Sequence, residues 1–275
     1  MLVERARGAI SDSRAGLFYP ASPASKSPVL FFKKIFKFKE EEVAQMVAAK
    51  DNRLNLRYAP GSSFPLHAYL SLVRYEWKPS KVINISGTGL NLLTAREARW
   101  TAGQDLKLKL VLGKYELVLE GRLAHAAVRE KGLHCGVALK FADFKEQQSY
   151  LQLMQPIFIG RSLEAVPGSD VAQDQPQFIK QVWRGTERSE LNVWLAKTFG
   201  TPFHRFEFQV HEYFCGADVV SSELEIGLRP AANQPVSAPT PALREEIRQL
   251  FRWIPHNLSA AVPDDVRAFM QRFTG

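Results

Sequence analysis

Between residues 64 and 141 the chain alternates apolar and polar side chains with a period of two. Leu106, Leu108, Leu110 and Leu112 alternate with Asp105, Lys107 and Lys109; Tyr115, Leu117, Leu119 and Leu123 share one parity, and Leu133, Cys135, Val137, Leu139 and Phe141 another. Successive side chains of a strand point to opposite faces, so the pattern predicts strands with one face buried and one wet. Turn signals at Gly61, Pro79, Gly87, Gly103, Gly113 and Gly132 cut the region into about six short strands, the expectation for a small antiparallel barrel. A helix is expected next, from about residue 143 to 155.

The stretch EAVPGSDVAQDQPQ (164–177) is rich in Pro, Gly, Asp and Gln and reads as a domain boundary. Beyond it, Phe206, Phe208 and Val210 alternate with Arg205, Glu207, Gln209 and His211, and Leu224, Ile226 and Leu228 alternate with Glu223 and Glu225. These predict strands of a half-buried sheet. Leu243, Ile247, Leu250, Phe251 and Ile254, then Val266, Phe269, Met270 and Phe273, recur at helical spacing, with Pro241 suited to an opening turn. The reading is mainly β: an amino-terminal arm with a short helix over 1–49, a barrel domain over 50–160, a linker over 161–177 and an α+β domain over 178–275. Trp183 and Trp194 are candidates for an aromatic partner surface on that last domain, although two core tryptophans fit the pattern better.

The first 27 residues mix Ala, Ser, Gly, Pro and charge without periodicity, consistent with an arm. In FFKKIFKFK, Phe31, Phe32, Phe36 and Phe38 interleave with Lys33, Lys34, Lys37 and Lys39. Such a segment suits an acidic membrane or a nucleic-acid strand, but a strand or helix docking its aromatics on the protein is the better reading. The chain has 36 Lys and Arg against 28 Asp and Glu, a net charge of +8, which favours an anionic partner without choosing one. Neither a secretory signal nor a run of the roughly 20 apolar residues that span a bilayer is evident, so the expected location is cytoplasmic.

Signs of catalysis are lacking. No phosphate-cradling loop, nucleophile elbow or dinucleotide glycine fingerprint occurs, and the carboxylates scatter over expected solvent faces. His204 and His211 stand seven apart; on one regular strand over 203–214 they point to opposite faces and share no metal. His67, His125, His134 and His256 read as ordinary barrel, loop or surface residues. Cys135 and Cys215 lack nearby partners and read as two buried free thiols. No metal, cofactor or enzymatic activity is expected.

One constellation remains. Arg53-x-x-x-Arg57 precedes the first barrel strand, Asn84-x-Ser86-x-x-Gly89 lies within VINISGTGLNLL (82–93), and GVALKF (136–141) closes the barrel. Together these resemble the PilZ domain, the bacterial receptor module for cyclic di-GMP, over residues 50–155. The resemblance implies that Arg53 and Arg57 supply an arginine loop and Asn84, Ser86 and Gly89 a turn, with cyclic di-GMP between them. A guanidinium fork grips phosphate or guanine and also stacks on a base, which lysine does not do. Asp51 and Asn52 stand where many family members carry further basic residues, which bears on affinity and stoichiometry. The resemblance also implies a bacterial, non-enzymatic receptor governing motility, biofilm or a similar output; the 178–275 domain, with its own sheet-and-helix core and no catalytic constellation, is the expected docking site of a protein partner, and nucleic acid is disfavoured. A degenerate barrel serving as an interaction scaffold and a nucleic-acid-binding barrel are the alternatives.

Overall fold

The computed structural model describes residues 32–41, 43, 56–72, 76–96, 100–197, 203–231 and 234–275. Six antiparallel strands, β1 (Leu66–Ser71), β2 (Lys78–Ser86), β3 (Gly89–Thr94), β4 (Asp105–Leu112), β5 (Tyr115–Arg129) and β6 (Gly132–Lys140), close a barrel in the order β1-β2-β3-β6-β5-β4. The period-two leucines point inward as expected: Leu108 opposes Leu119, Leu110 opposes Leu117, and all four are fully buried. Gly113, at φ 59°, supplies the left-handed backbone that the tight β4–β5 turn requires. Pro79 does not mark a turn. It sits second in β2, opposite Tyr69, at the strand start where a missing N–H is tolerated.

Helix α1 (Phe144–Ser162) is capped by Asp143, whose carboxylate accepts from Glu146 N. It runs beyond the expected end at 155 and through Pro156, because its middle turns are embedded on nearly every side. Tyr150, Gln152, Leu153, Met154 and Ile157 are all fully buried.

The carboxy-terminal half is a six-stranded antiparallel sheet of β7 (Glu164–Ala165), β8 (Phe178–Arg184), β9 (Glu190–Ala196), β10 (Phe203–Val210), β11 (Tyr213–Asp218) and β12 (Leu224–Leu228), arranged in sequence order. One face carries Leu191, Val193, Phe206, Phe208 and Ile226 beneath α2 (Pro241–Trp253) and α3 (Asp264–Thr274). Phe208 meets Phe251 at 5.4 Å between ring centroids, and Phe206 meets Phe269 at 5.9 Å. Strand β10 ends at Val210, so the single strand expected over 203–214 is broken: His211 takes a positive φ in the turn and pairs with Glu187 at 2.8 Å. The opposite face is richly polar, and one carboxylate is not on a solvent face. Glu207 is buried and ion-paired with Arg229 at 2.8 Å. Trp183 and Trp194 are both buried. Trp183 donates to Ala261 O from the helix-covered side, and Trp194 lies under Lys180 and Arg205 on the other.

Phe31 lies outside the described residues; from Phe32 on, the Phe/Lys segment docks its aromatics on the protein, but as a turn over 33–35 rather than a strand or helix. Phe32 and Phe36 are buried, and Phe32 meets Trp253 edge-on at 5.8 Å. Gln152 of α1 holds the turn: its Oε1 accepts from Phe32 N, and its Nε2 donates to Phe32 O and Phe36 O. The lysines Lys33, Lys34 and Lys37 face solvent. Cys135 and Cys215 are buried free thiols. Among the described residues no helix is long and apolar enough to cross a membrane.

Candidate functional site

The turn between β2 and β3 is held from three sides. Ser86 Oγ donates to Gly89 O at 3.2 Å, closing the turn locally. A Cβ on Gly89 would stand 2.4 Å from Val137 O of β6, so close backbone approach demands glycine there. Tyr150 of α1 donates its hydroxyl to Ser86 O at 2.7 Å. Complete burial pushes that phenol well above its usual range, so it acts as a neutral donor.

Arg57 reaches the turn through the backbone. Tyr58 N donates to Ile85 O at 3.0 Å and Ile85 N to Tyr58 O at 2.9 Å, an antiparallel bridge that extends the sheet along β2 beyond the end of β1. In that register Arg57 falls beside Ser86, and Ala59 beside Asn84. The Tyr58 ring packs on Phe158 of α1 at 5.0 Å, while Arg57 is exposed. The same segment is tied to the carboxy-terminal half. Arg161 donates from Nε to Ala59 O at 2.8 Å and from Nη1 to Leu258 O at 3.1 Å.

Asn84 sits just after a bulge between Val82 and Asn84, which brings it opposite Asn91 of β3. The Oδ1 atoms of both asparagines are buried and have no hydrogen-bond partner among the described residues. An unpaired buried acceptor costs on the order of 1–3 kcal/mol, and two lie side by side here. Thus Arg57, Asn84, Ser86 and Gly89 gather at one end of the β2–β3 hairpin, while Arg53 lies outside the described residues. Asn91 was not distinguished from sequence. It is one polar residue on the wet parity of a strand, and its significance rests on the partner opposite it.

The order of the barrel, the arginine ahead of it and the turn in its second hairpin accompany a family match. Residues 51–155 match the PilZ domain model. The PilZ match thus spans the segment leading into the barrel, all six strands and the first part of α1. Among solved structures, the chain is similar to the PilZ domain with c-di-GMP of YcgR from Escherichia coli, at 11% identity and a TM-score of 0.32, covering 36% of this chain and 86% of that one. It is also similar to the Borreliella burgdorferi PlzA protein in complex with c-di-GMP, at 9% identity and a TM-score of 0.29, covering 74% of this chain and 98% of that one. No curated protein matches the chain. Among the described residues, no three His, Cys, Asp or Glu side chains cluster in a way that could hold a metal ion.

Proposed function

We propose that the protein is a non-enzymatic cytoplasmic receptor for cyclic di-GMP, bound between the arginine segment and the β2–β3 turn. Arg53, Arg57, Asn84, Ser86 and Gly89 form the site. The observation that carries this reading is the Tyr58–Ile85 bridge, which sets Arg57 in register beside Ser86 within the PilZ-matched segment. A guanidinium on that edge, next to two orphaned amide oxygens, suits a ligand offering phosphates and guanine edges.

In this proposal the ligand signals through the short segment 57–61. A single residue, Tyr58, separates Arg57 from Ala59, and Ala59 shares Arg161 with Leu258. A ligand that favours one arrangement of Arg57 therefore biases the fit between the barrel domain (50–160) and residues 178–275, provided its affinity differs between the two arrangements. Residues 178–275 then serve as the output or protein-docking domain, in a bacterial pathway such as motility or biofilm control. The alternative, a ligand-blind barrel, has its own support: Ser86 is accounted for by turn geometry and Gly89 by the close approach of the β6 backbone.

Isothermal calorimetry of the intact chain with cyclic di-GMP, against GTP and cyclic AMP, decides between them. Saturable heat with cyclic di-GMP alone is expected. Silence at hundred-micromolar ligand would leave the ligand-blind barrel.

A further inference from the structure

The outer face of the barrel continues past Asn84 and Asn91 onto β6 and β5. Asn84 is registered with Asn91, Asn91 with Gly136, and Gly136 with His125, so the four make one row across the sheet. A bulge between Leu123 and His125 is what turns His125 outward. Counting in steps of two from buried Leu123, residue 125 would otherwise point into the barrel. A Cβ on Gly136 would stand 2.0 Å from Cε1 and 2.3 Å from Nδ1 of His125. The imidazole therefore lies against the bare backbone of β6, in space that any side chain at 136 would fill. His125 is exposed to solvent and Gly136 is covered by it.

Two properties of this row specify a ligand. The paired Oδ1 atoms of Asn84 and Asn91 are acceptors awaiting donors. Guanine offers two adjacent donors on one edge, N1–H and the N2 amino group, whereas adenine offers an acceptor at N1 beside a single amino group. The seated imidazole adds a flat face on which a purine can stack, and stacking of this kind does not depend on which base is present.

Resting on the receptor reading above, we propose that the nucleotide site extends across β3 and β6, Asn91 acting with Asn84 to select guanine and His125 supplying a stacking face. Asn91 is a specificity residue in this scheme, and His125 a base-independent contact. Their substitutions therefore have different signatures.

The test is titration of the intact protein, wild type and variants, with cyclic di-GMP and with cyclic di-AMP, alongside thermal unfolding. Asn91→Ala should weaken cyclic di-GMP about tenfold and narrow its advantage over cyclic di-AMP, with the melting temperature held or raised because a buried unpaired oxygen is removed. His125→Ala should weaken cyclic di-GMP about tenfold, whereas His125→Phe, which keeps a flat ring, should stay within about threefold of wild type. If wild type binds and Asn91→Ala retains both its affinity and its preference, the extension is wrong while the receptor reading stands. If His125→Ala binds like wild type, the stacking face is wrong on the same terms. Failure of wild type to bind cyclic di-GMP overturns the receptor reading and this extension together.

Discussion

The amide of Gly61 donates to Asn257 Oδ1 at 2.9 Å, joining the segment that enters the barrel to the one-turn 3-10 helix, Ile254–Asn257, that follows α2. The approach is so close that a Cβ on Gly61 would stand 1.7 Å from His256 O. Backbone, not a flexible side-chain end, occupies that space. Gly61→Ala should therefore destabilise the protein by about 1–3 kcal/mol, as overpacking does. Gly113→Ala meets nothing within 4 Å and carries only the strain of a positive φ, about 1 kcal/mol. Denaturant midpoints should rank Gly61→Ala well below Gly113→Ala; the reverse order would mean that the 57–64 segment does not hold this seat in solution.

Arg57→Ala should lower cyclic di-GMP affinity by about one to two decades while leaving the barrel folded, since its side chain is exposed and the bridge at Tyr58 uses backbone atoms. Arg57→Lys should be nearly as damaging, because it keeps the charge and loses the fork. Ser86→Ala should be milder, about fivefold, the worth of one neutral hydrogen bond. Calorimetry on the three variants checks the order, and an Arg57→Lys protein as tight as wild type would remove Arg57 from the site.

Gln152 is fully buried and satisfies three backbone groups of the Phe32–Phe36 turn. Gln152→Leu keeps the volume and takes the side-chain partner from Phe32 N and Phe36 O in an apolar setting, while Phe32 O keeps its bond from Phe36 N at 3.2 Å. A loss of about 2–4 kcal/mol is expected, together with faster amide exchange over 32–36. Unchanged exchange there would show that the rings, not the glutamine, hold the turn.

His256 is pulled below its ordinary pKa by burial and by the nearby Arg252 guanidinium, and its Nδ1 pairs with Ser63 Oγ at 3.0 Å. Because the folded value is depressed, the unfolded chain binds this proton more readily. The contribution is therefore intact above about pH 6.5 and is lost as pH falls through the lower, folded value. Unfolding free energies measured between pH 8 and 5 should fall towards acid in wild type and fall less in His256→Gln. Parallel curves would discard His256 as a source of acid sensitivity.

The barrel was legible because its leucines keep strict parity, as Leu106 to Leu112 show, and parity survives any arrangement of the strands. The turn was legible for a different reason: Gly and Ser are turn residues whatever else they do, although the structure uses Ser86 to close the turn and Gly89 to admit the backbone of β6. What the sequence hid were meetings between distant residues. Nothing in FFKKIFKFK announces a turn, since its shape is imposed by Gln152, more than a hundred residues away. His125 was hidden by a bulge, which shifts parity by one and escapes a period-two count, and Asn91 by its partner, since only the bulge in β2 sets Asn84 opposite it. Trp194 is buried, as the better of its two readings has it, but on the polar face of the sheet, beneath the stems of Lys180 and Arg205.

Most of the buried apolar residues form one connected cluster, running from Leu70 and Leu110 inside the barrel through Tyr150 and Ile157 of α1 to Phe206 and Phe251 beyond. Trp253 lies at its seam, edge-on to Phe32 at 5.8 Å and to Tyr115 at 5.9 Å. A cut near residue 175 does not leave two finished pieces: the shortened form would present raw hydrophobic surface to water where Trp253 had stood. Heat or urea should accordingly meet a single cooperative structure with one transition. The carboxy-terminal half is then a wall of the house that shelters the barrel, and a force applied to either half is felt in the other through the core they share.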